Sequence, residues 1–416
     1  MWITSIARFG QNETFMHIAL IADAYPPLRS SGAVQLRDLA QEFVRQGRRV
    51  TVLVPAMNLE QPWTLELAEG VQVLRLAAFN TKDTGYVWRT VSEMLLSLMI
   101  LRGLDKSPLR TVKWDALVWY SPTIFLGPLI GILKRRSACR SFLVLRDIFP
   151  EWAVDMGLLS RGPIYRFFKM VERYQYKVAD TIGVQSTSNL AYLSTWAQRP
   201  GRRLEVLQNW LAPAADIGCS ISIANTKLAG RTIFVYAGNM GVAQGMDMFI
   251  DLAAQLHQRN DIGFLFVGRG SHVSRLVADV MQRGLDNVIF HDEIDPAEIP
   301  GLFKQCHIGL VALDPRHKTH NVPGKFLTYI QAGLPVLARI NAGNDLAELI
   351  EKEDVGTVYI GDDCTALTTA AIDLVADQEK LQTMSSNARD LAQRRFSVVA
   401  AAKQIALALN NAATFQ

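Results

Sequence analysis

Cysteine is scarce in this chain, and none of it is arranged for chemistry. Cys139, Cys219, Cys306 and Cys364 lie far apart, with no CxxC pair and no histidine at ligand spacing. That excludes a disulfide framework and a cysteine-held zinc site, and leaves reduced thiols of the kind expected in a cytoplasmic protein. Long apolar runs are also missing. The nearest candidates, Met94 to Leu101 and Ile124 to Leu133, fall short of the roughly 18 residues a spanning helix needs, and read as buried helices. Charge of one sign is not in excess: the formal net charge is +4, too small to argue for nucleic acid but compatible with an anionic substrate or a membrane surface. No GxGxxG follows the first strand of either half, and no glycine loop ends in Gly-Lys-Ser/Thr. A nicotinamide dehydrogenase and a P-loop enzyme are thereby excluded. Residues 1–15 are irregular and polar, without the apolar centre of a signal peptide, and read as an extension outside the fold.

What the chain does have is two rounds of strand–helix alternation. Its 416 residues, 49% apolar and 20% charged, suit two globular domains. In the first, His17 to Ala22, Arg49 to Pro55, Val71 to Leu76, Ala116 to Tyr120, Ser141 to Leu145, Asp180 to Val184 and Glu205 to Leu207 read as strands. A helix from Gly32 to Gln46 stops at Gly47. Periodicity then lapses and restarts. Strands are expected at Thr232 to Ala237, Ile262 to Gly268, Asn287 to His291, Ile308 to Leu313 and Pro335 to Ala338. Helices are expected at Asp247 to His257, Ser274 to Arg283, Pro296 to Gln305 and Lys325 to Ala332. The expected organisation is an extension (1–15), a first domain (16–211), a linker (212–230), a second domain (231–392) and a C-terminal helical segment (393–416) returning toward the first domain.

Parallel sheets bind ligands beyond the carboxyl ends of their strands, so the loops there are the candidate sites. Tyr236 to Gly245 (YAGNMGVAQG) places Gly238, Asn239 and Gly241 where free amides could cradle a diphosphate; a tight packing turn would use the same glycines. Arg269, between Gly268 and Gly270, could meet phosphate or base, or be a solvated turn residue. Lys325 opens a helix after Pro323-Gly324, where a cation opposes the helix dipole unless an anion is near. Arg316, His317, Lys318 and His320 add positive potential just upstream; a metal at His317 and His320 lacks a carboxylate partner. In the first half, Asp147 and Glu151 follow the strand Ser141 to Leu145 and could hold hydroxyls, act as a base or cap a helix. The loop Tyr25 to Gly32 follows the first strand, is expected to face the same cleft, and could meet substrate there. Arg161 to Lys177 interleaves basic and aromatic residues, a pattern shared by membrane-surface helices and partly buried ones.

Taken in order, IALIADAYPP…SGAVQLRDLAQEFVRQGRRVTVLVP, KVADTIGVQSTSNLAYL, YAGNMGVAQG, FLFVGRG and GKFLTYIQAGLPVLA resemble the retaining GT-B glycosyltransferases that include sucrose synthase-like and bacterial envelope-polysaccharide enzymes. The resemblance runs over essentially the whole chain from Met16. It implies an α/β GT-B fold, two Rossmann-like domains facing a central cleft, with the nucleotide-sugar donor in the second and the acceptor in the first. RDIFPEWAVDMGLL, GNMGVAQGMD and VPGKFLTYIQAGLPVLARINAGNDLAELI look, more narrowly, like the L-fucosamine (N-acetyl-L-fucosamine) transferases of O-antigen and capsule assembly. That implies a UDP-sugar donor and a polyprenyl-diphosphate-linked saccharide acceptor at the inner face of the cytoplasmic membrane. A peripheral membrane protein needing no cofactor and no metal is expected; no Asp-x-Asp pair of the metal-dependent kind is evident.

On this reading Asp147 and Lys325 are catalytic. Gly238, Asn239, Gly241, Arg269, His320, Lys325 and Thr328 bind donor, and Gly32 and Glu151 bind acceptor. The chain departs from many such enzymes, with Asn239 and Gln244 where an arginine and a lysine are usual, and His320 and Thr328 where two glutamates are. These substitutions keep two rivals open, a GT-B sugar-nucleotide 2-epimerase and a non-catalytic scaffold of a polysaccharide-assembly complex.

Overall fold

A computed structural model resolves this alternation into two α/β units, described for residues 16–28, 30–57, 59–79, 85–155, 157–241, 244–312, 322–341 and 344–410. The first unit takes the chain up to Gln185, Asn189–Leu207 and the part from Ala401 onward; the second takes Ser186–Ser188 and Gln208–Ala400.

The first unit holds β1 (His17–Ile21), α1 (Ser31–Arg45), β2 (Arg49–Ala56), β3 (Trp63–Ala68), β4 (Val71–Ala77), α2 (Tyr86–Asp105), β5 (Ala116–Ser121), α3 (Gly127–Ser137), β6 (Arg140–Leu145), α4 (Glu151–Asp155), α5 (Pro163–Val178), β7 (Thr181–Val184), α6 (Ser194–Ala197) and β8 (Arg203–Val206). The strands lie in the order β3-β4-β2-β1-β5-β6-β7-β8, parallel except for the β3–β4 hairpin. Covered on both faces, the central strands are continuous buried runs such as HIALI. The edge strand β3 was not among the expected ones. WTLELA is largely exposed, so it carries no buried run; its signal is the turn at Glu69-Gly70, both at positive φ, the conformation a tight hairpin demands. Chain direction along the sheet reverses between β1 and β5, so the loops after them flank a crevice.

The second unit holds β9 (Thr232–Ala237), α7 (Asp247–Gln255), β10 (Ile262–Val267), α8 (Val273–Gln282), β11 (Val288–His291), α9 (Ile299–Phe303), β12 (Ile308–Ala312), α10 (Gly324–Ala332), β13 (Val336–Arg339), α11 (Asp345–Lys352), β14 (Gly356–Tyr359), α12 (Cys364–Ala376) and α13 (Gln378–Arg395). Its all-parallel sheet runs β11-β10-β9-β12-β13-β14, with the reversal between β9 and β12. β9 shows why the sheet is fixed in register. Ile233 and Val235 enter one core with Phe326, Tyr329 and Ile330; Phe234 and Tyr236 enter the core on the other face with Phe249, Phe264 and Phe266. A one-residue slip would exchange the two sets.

The stretch read as a linker packs against the second unit, burying Ile221, Ile223 and Leu228 in its core. The helix expected over Pro296 to Gln305 is a 3-10 turn, Pro296–Glu298, running into the short α9. At the C-terminus, α14 (Val398–Asn410) begins in the second unit and ends in the first, where Gln404 donates to Glu205 and to the Val206 carbonyl.

Candidate functional site

In the second unit, β9 pairs with β10 along all six residues, but with β12 only at Phe234 and Val235. Beyond that point β9 and β12 splay, and Tyr329 fills the gap. Its hydroxyl accepts from the Ala237 N–H at 3.2 Å, a donor that β12 no longer serves. Its ring lies where a side chain on Gly309 would have to go, 2.5 Å from the Cβ position. Glycine at 309 and tyrosine at 329 therefore keep the crevice open at its mouth and satisfied at its base.

The loops after β9 and β10 interlock beside this crevice. Gly238 N donates to the Val267 carbonyl (2.8 Å) and Met240 N to the Arg269 carbonyl (2.7 Å), while the Met240 carbonyl accepts from His272 N (3.1 Å). Gly268 and Gly270 have φ of 141° and 150°; a side chain on either would collide with the Gly238 or Met240 carbonyl. Gly241 N donates to Gln244 Oε1 at 2.9 Å, which also accepts from Asn239 Nδ2. This revises the expected amide cradle. The amides of Gly238, Met240 and Gly241 are already spent on the loops' own architecture. Asn239 N is the one in this run with no acceptor among the described residues.

Lys325 stands at the start of α10, half-buried, with Nζ 4.6 Å from the centre of the Tyr236 ring. Its Nζ lies 3.0 Å from where a Gly238 Cβ would sit, so glycine at 238 makes room for the ammonium. The Tyr236 hydroxyl in turn donates to the Asn239 carbonyl at 2.6 Å. No carboxylate pairs with Lys325 among the described residues. A first-turn lysine costs about 0.3–1 kcal/mol against the helix dipole, and the ring returns roughly 0.5–1 kcal/mol or somewhat more. Desolvation lowers the lysine's pKa from 10.5. A cation poised this way, beside one free amide, gains most when an anion arrives.

Thr328 Oγ1 donates to the Lys325 carbonyl at 2.8 Å, one turn back on the same helix. Arg269 joins the cluster through its backbone alone: its side chain is 79% exposed and pairs with Glu293 at 3.2 Å. His320, like Arg316, His317 and Lys318, lies outside the described residues.

In the first unit, Gly32 lets the Tyr120 ring approach, its Cβ position lying 3.1 Å from the ring and hydroxyl. The buried Arg146 guanidinium sits 5.9 Å from that ring's centre and donates to the Leu207 carbonyl. Desolvation lowers the guanidinium to about 10 despite Tyr120 and Asp147 nearby. Asp147 keeps a path to water and has no hydrogen-bond partner among the described residues. Crowding by protein raises its carboxyl, with Arg146 pulling the other way. Glu151 is engaged elsewhere. It accepts from Tyr165 (2.8 Å) and pairs with Lys169 (2.7 Å), which also holds the buried Glu172 (2.8 Å). Desolvation pushes the Glu151 carboxyl up, but these partners outweigh it and the net direction is down.

A pocket of about 370 Å³ opens at the first sheet's reversal point, lined by Asp23, Tyr25, Leu28, Met57, Phe79 and Thr123 among others. The loop expected to meet substrate supplies Tyr25, Pro27 and Leu28 to this pocket; the roles of Tyr120, Tyr236 and Tyr329 are not legible in the sequence, because each depends on which strands are neighbours. Among the described residues no group of His, Cys, Asp and Glu could hold a metal ion, and no helix is long and apolar enough to cross a membrane.

Two doubly wound sheets in succession, the second with a cation and an amide facing its reversal point, define the class: a GT-B glycosyltransferase. A solved Anabaena protein, HepE in complex with UDP and glucose, has the same fold, with a TM-score of 0.59 at 17% identity over 94% of this chain and 98% of its own. Residues 32–210 match the model of a glycosyl transferase 4-like domain, and residues 231–377 that of glycosyl transferases group 1. The two matches together cover most of the chain and make it a glycosyltransferase whose second half carries the group 1 domain. Pseudomonas aeruginosa "Probable glycosyltransferase WbjE" is 25% identical over 274 residues, 64% of this chain and 67% of its own length. A protein of Escherichia coli K12 named for colanic acid biosynthesis, the glycosyl transferase WcaI, is 24% identical over 250 residues, 58% and 61% of the two lengths. The matches thus span about three-fifths to two-thirds of these relatives.

Proposed function

We propose that the chain moves a sugar from a UDP-sugar to a polyprenyl-diphosphate-linked saccharide during assembly of a bacterial surface polysaccharide, working at the inner face of the cytoplasmic membrane. The observation that carries the donor half is Lys325, seated on Tyr236 beside the Asn239 amide, with neither a carboxylate for the ammonium nor an acceptor for the amide among the described residues. A diphosphate supplies what both groups lack. UDP as its carrier is supported by the HepE complex, and a polysaccharide product by the naming of WcaI. N-acetyl-L-fucosamine is the sugar favoured by the sequence resemblance, as is retention of configuration.

In this reaction the bond from the anomeric carbon to the β-phosphate oxygen breaks, and the departing charge settles on UDP. Lys325 and Asn239 N stabilise that charge as it develops. The acceptor oxygen bonds to the anomeric carbon and gives its proton to Asp147, a carboxylate near Tyr120 with no hydrogen-bond partner among the described residues. Thr328 buttresses the first turn that carries Lys325, and Glu151 holds α4 to α5. The roles first expected of Thr328 and Glu151, ligand contacts, thereby become positioning roles. The test is a transfer assay with labelled UDP-N-acetyl-L-fucosamine and other UDP-sugars, with lipid-linked acceptor present or withheld. Label entering the lipid fraction only with acceptor supports the proposal. Conversion of the free nucleotide sugar without acceptor would favour the epimerase, and no turnover with any donor would favour the scaffold.

A further inference from the structure

In the first unit α3 packs against both α2 and α5, and the inner sides of the three share a core that includes Leu96, Ile100, Leu129, Leu133 and Tyr176. Their outer sides are not an ordinary solvated face. On α2, Trp88, Val91, Leu95 and Leu98 are 53%, 38%, 38% and 43% exposed. Their spacing of three, four and three puts them on one stripe, which Arg102 continues at the helix end. On α5, exposed Ile164, Met170 and Tyr174 alternate with exposed Arg166, Arg173 and Lys177. Between α3 and α5 runs a groove of about 600 Å³, lined by Lys134, Arg135, Tyr174 and Lys177 among others. Gly127 and Gly131 let Tyr174 lean onto α3, its ring and hydroxyl lying 3.1 and 3.4 Å from their Cβ positions. Lys134 is paired with Asp180, whereas Arg135 and Lys177 have no acidic partner among the described residues. The three helices carry nine cationic and three anionic side chains, a net +6 against +4 for the whole chain.

We propose that this α2–α3–α5 face docks the protein on an anionic phospholipid bilayer, with the α2 stripe entering the acyl boundary and the α3–α5 groove taking headgroup phosphates. Exposed apolar side chains interleaved with cations suit an interface that is apolar below and anionic above. A second copy of the chain suits it poorly, because two +6 faces would meet. The proposal deepens the lipid-linked-acceptor reading by assigning the membrane contact to named elements, and it is tested without turnover.

The full chain is sedimented with phosphatidylcholine vesicles and with phosphatidylcholine vesicles containing phosphatidylglycerol. Binding is expected only to the second, falling as salt rises. The Arg166→Ala/Arg173→Ala variant should bind roughly ten- to thirty-fold more weakly, and Leu95→Ser/Leu98→Ser should also lose affinity. Both pairs are exposed, so wild-type unfolding temperatures are expected and are measured alongside. Absence of binding, equal binding to both vesicle types, or affinity unchanged in both variants overturns the proposal. So does a lipid-free dimer, seen by light scattering, that the variants dissociate. UDP binding by the same preparations reads the donor site independently, so failure of the docking face and failure of the functional reading are separate results.

Discussion

Replacing Lys325 by methionine keeps the length of the side chain and removes its charge, and the account predicts a loss of binding with little change in stability. In the free protein the ammonium faces the positive end of α10 and has no carboxylate partner among the described residues. Its loss relieves about 0.3–1 kcal/mol of dipole opposition and some desolvation, and forfeits roughly 0.5–1 kcal/mol of attraction to the Tyr236 ring. Stability should therefore change by less than about 1 kcal/mol. With a diphosphate bound, the same ammonium makes a charge-assisted contact worth about 1.5–3 kcal/mol, so UDP affinity should fall roughly ten- to a hundred-fold. Calorimetric titration with UDP, paired with chemical denaturation of the free protein, reads both quantities. Because burial lowers the lysine's pKa from 10.5, wild-type affinity should also decline at a pH below that at which an ordinary lysine titrates, as the cation is lost. If Lys325→Met bound UDP as the wild type does, or lost affinity only by unfolding, the assignment of the donor phosphates to this crevice would be wrong.

Further outcomes follow from the same geometry. Tyr329→Phe leaves the Ala237 N–H without its acceptor and should cost about 1–3 kcal/mol in denaturant unfolding; an unchanged midpoint would mean that the splay between β9 and β12 closes by other means. His17, buried and bonded to Thr51 at 2.8 Å, has its pKa lowered from 6.5 to about 4, chiefly by desolvation. The folded state thus resists a proton that the unfolded chain accepts. Stability should be full above pH 6.5 and fall toward pH 4, by about 3 kcal/mol from this residue alone, and His17→Gln should flatten that slope. Asp147→Asn should lower kcat while leaving UDP affinity intact. Glu151→Gln should instead lower stability, through the Lys169 and Tyr165 contacts it weakens.

The parts of this fold that are legible in the sequence are those where burial is local. IFVYA, after the opening Thr232 of its strand, and IGFLFV are unbroken apolar runs because parallel strands are covered on both faces. β3 escapes notice because an edge strand needs no buried run. The helix expected from Pro296 is interrupted because its first turn is 3-10, with Pro300 following just inside α9. At the site, Lys325 is legible from the Pro-Gly that starts its helix. What spacing cannot reveal is competition for hydrogen bonds. Gly238 and Gly241 mark a backbone that approaches something closely, and in the fold Gly238 meets the β10 loop while Gly241 meets Gln244. Tyr329 reads as one more core aromatic until β9 and β12 are known to be neighbours.

The central claim, that a nucleotide diphosphate binds at the reversal point of the second sheet, is tested most directly by hydrogen exchange of the full chain with and without UDP. The account predicts new protection at Asn239 and over the first turn of α10 around Lys325. Protection confined to the loops around the first unit's pocket, Asp23 to Leu28 and Pro55 to Met57, or no protection at saturating UDP, would contradict it.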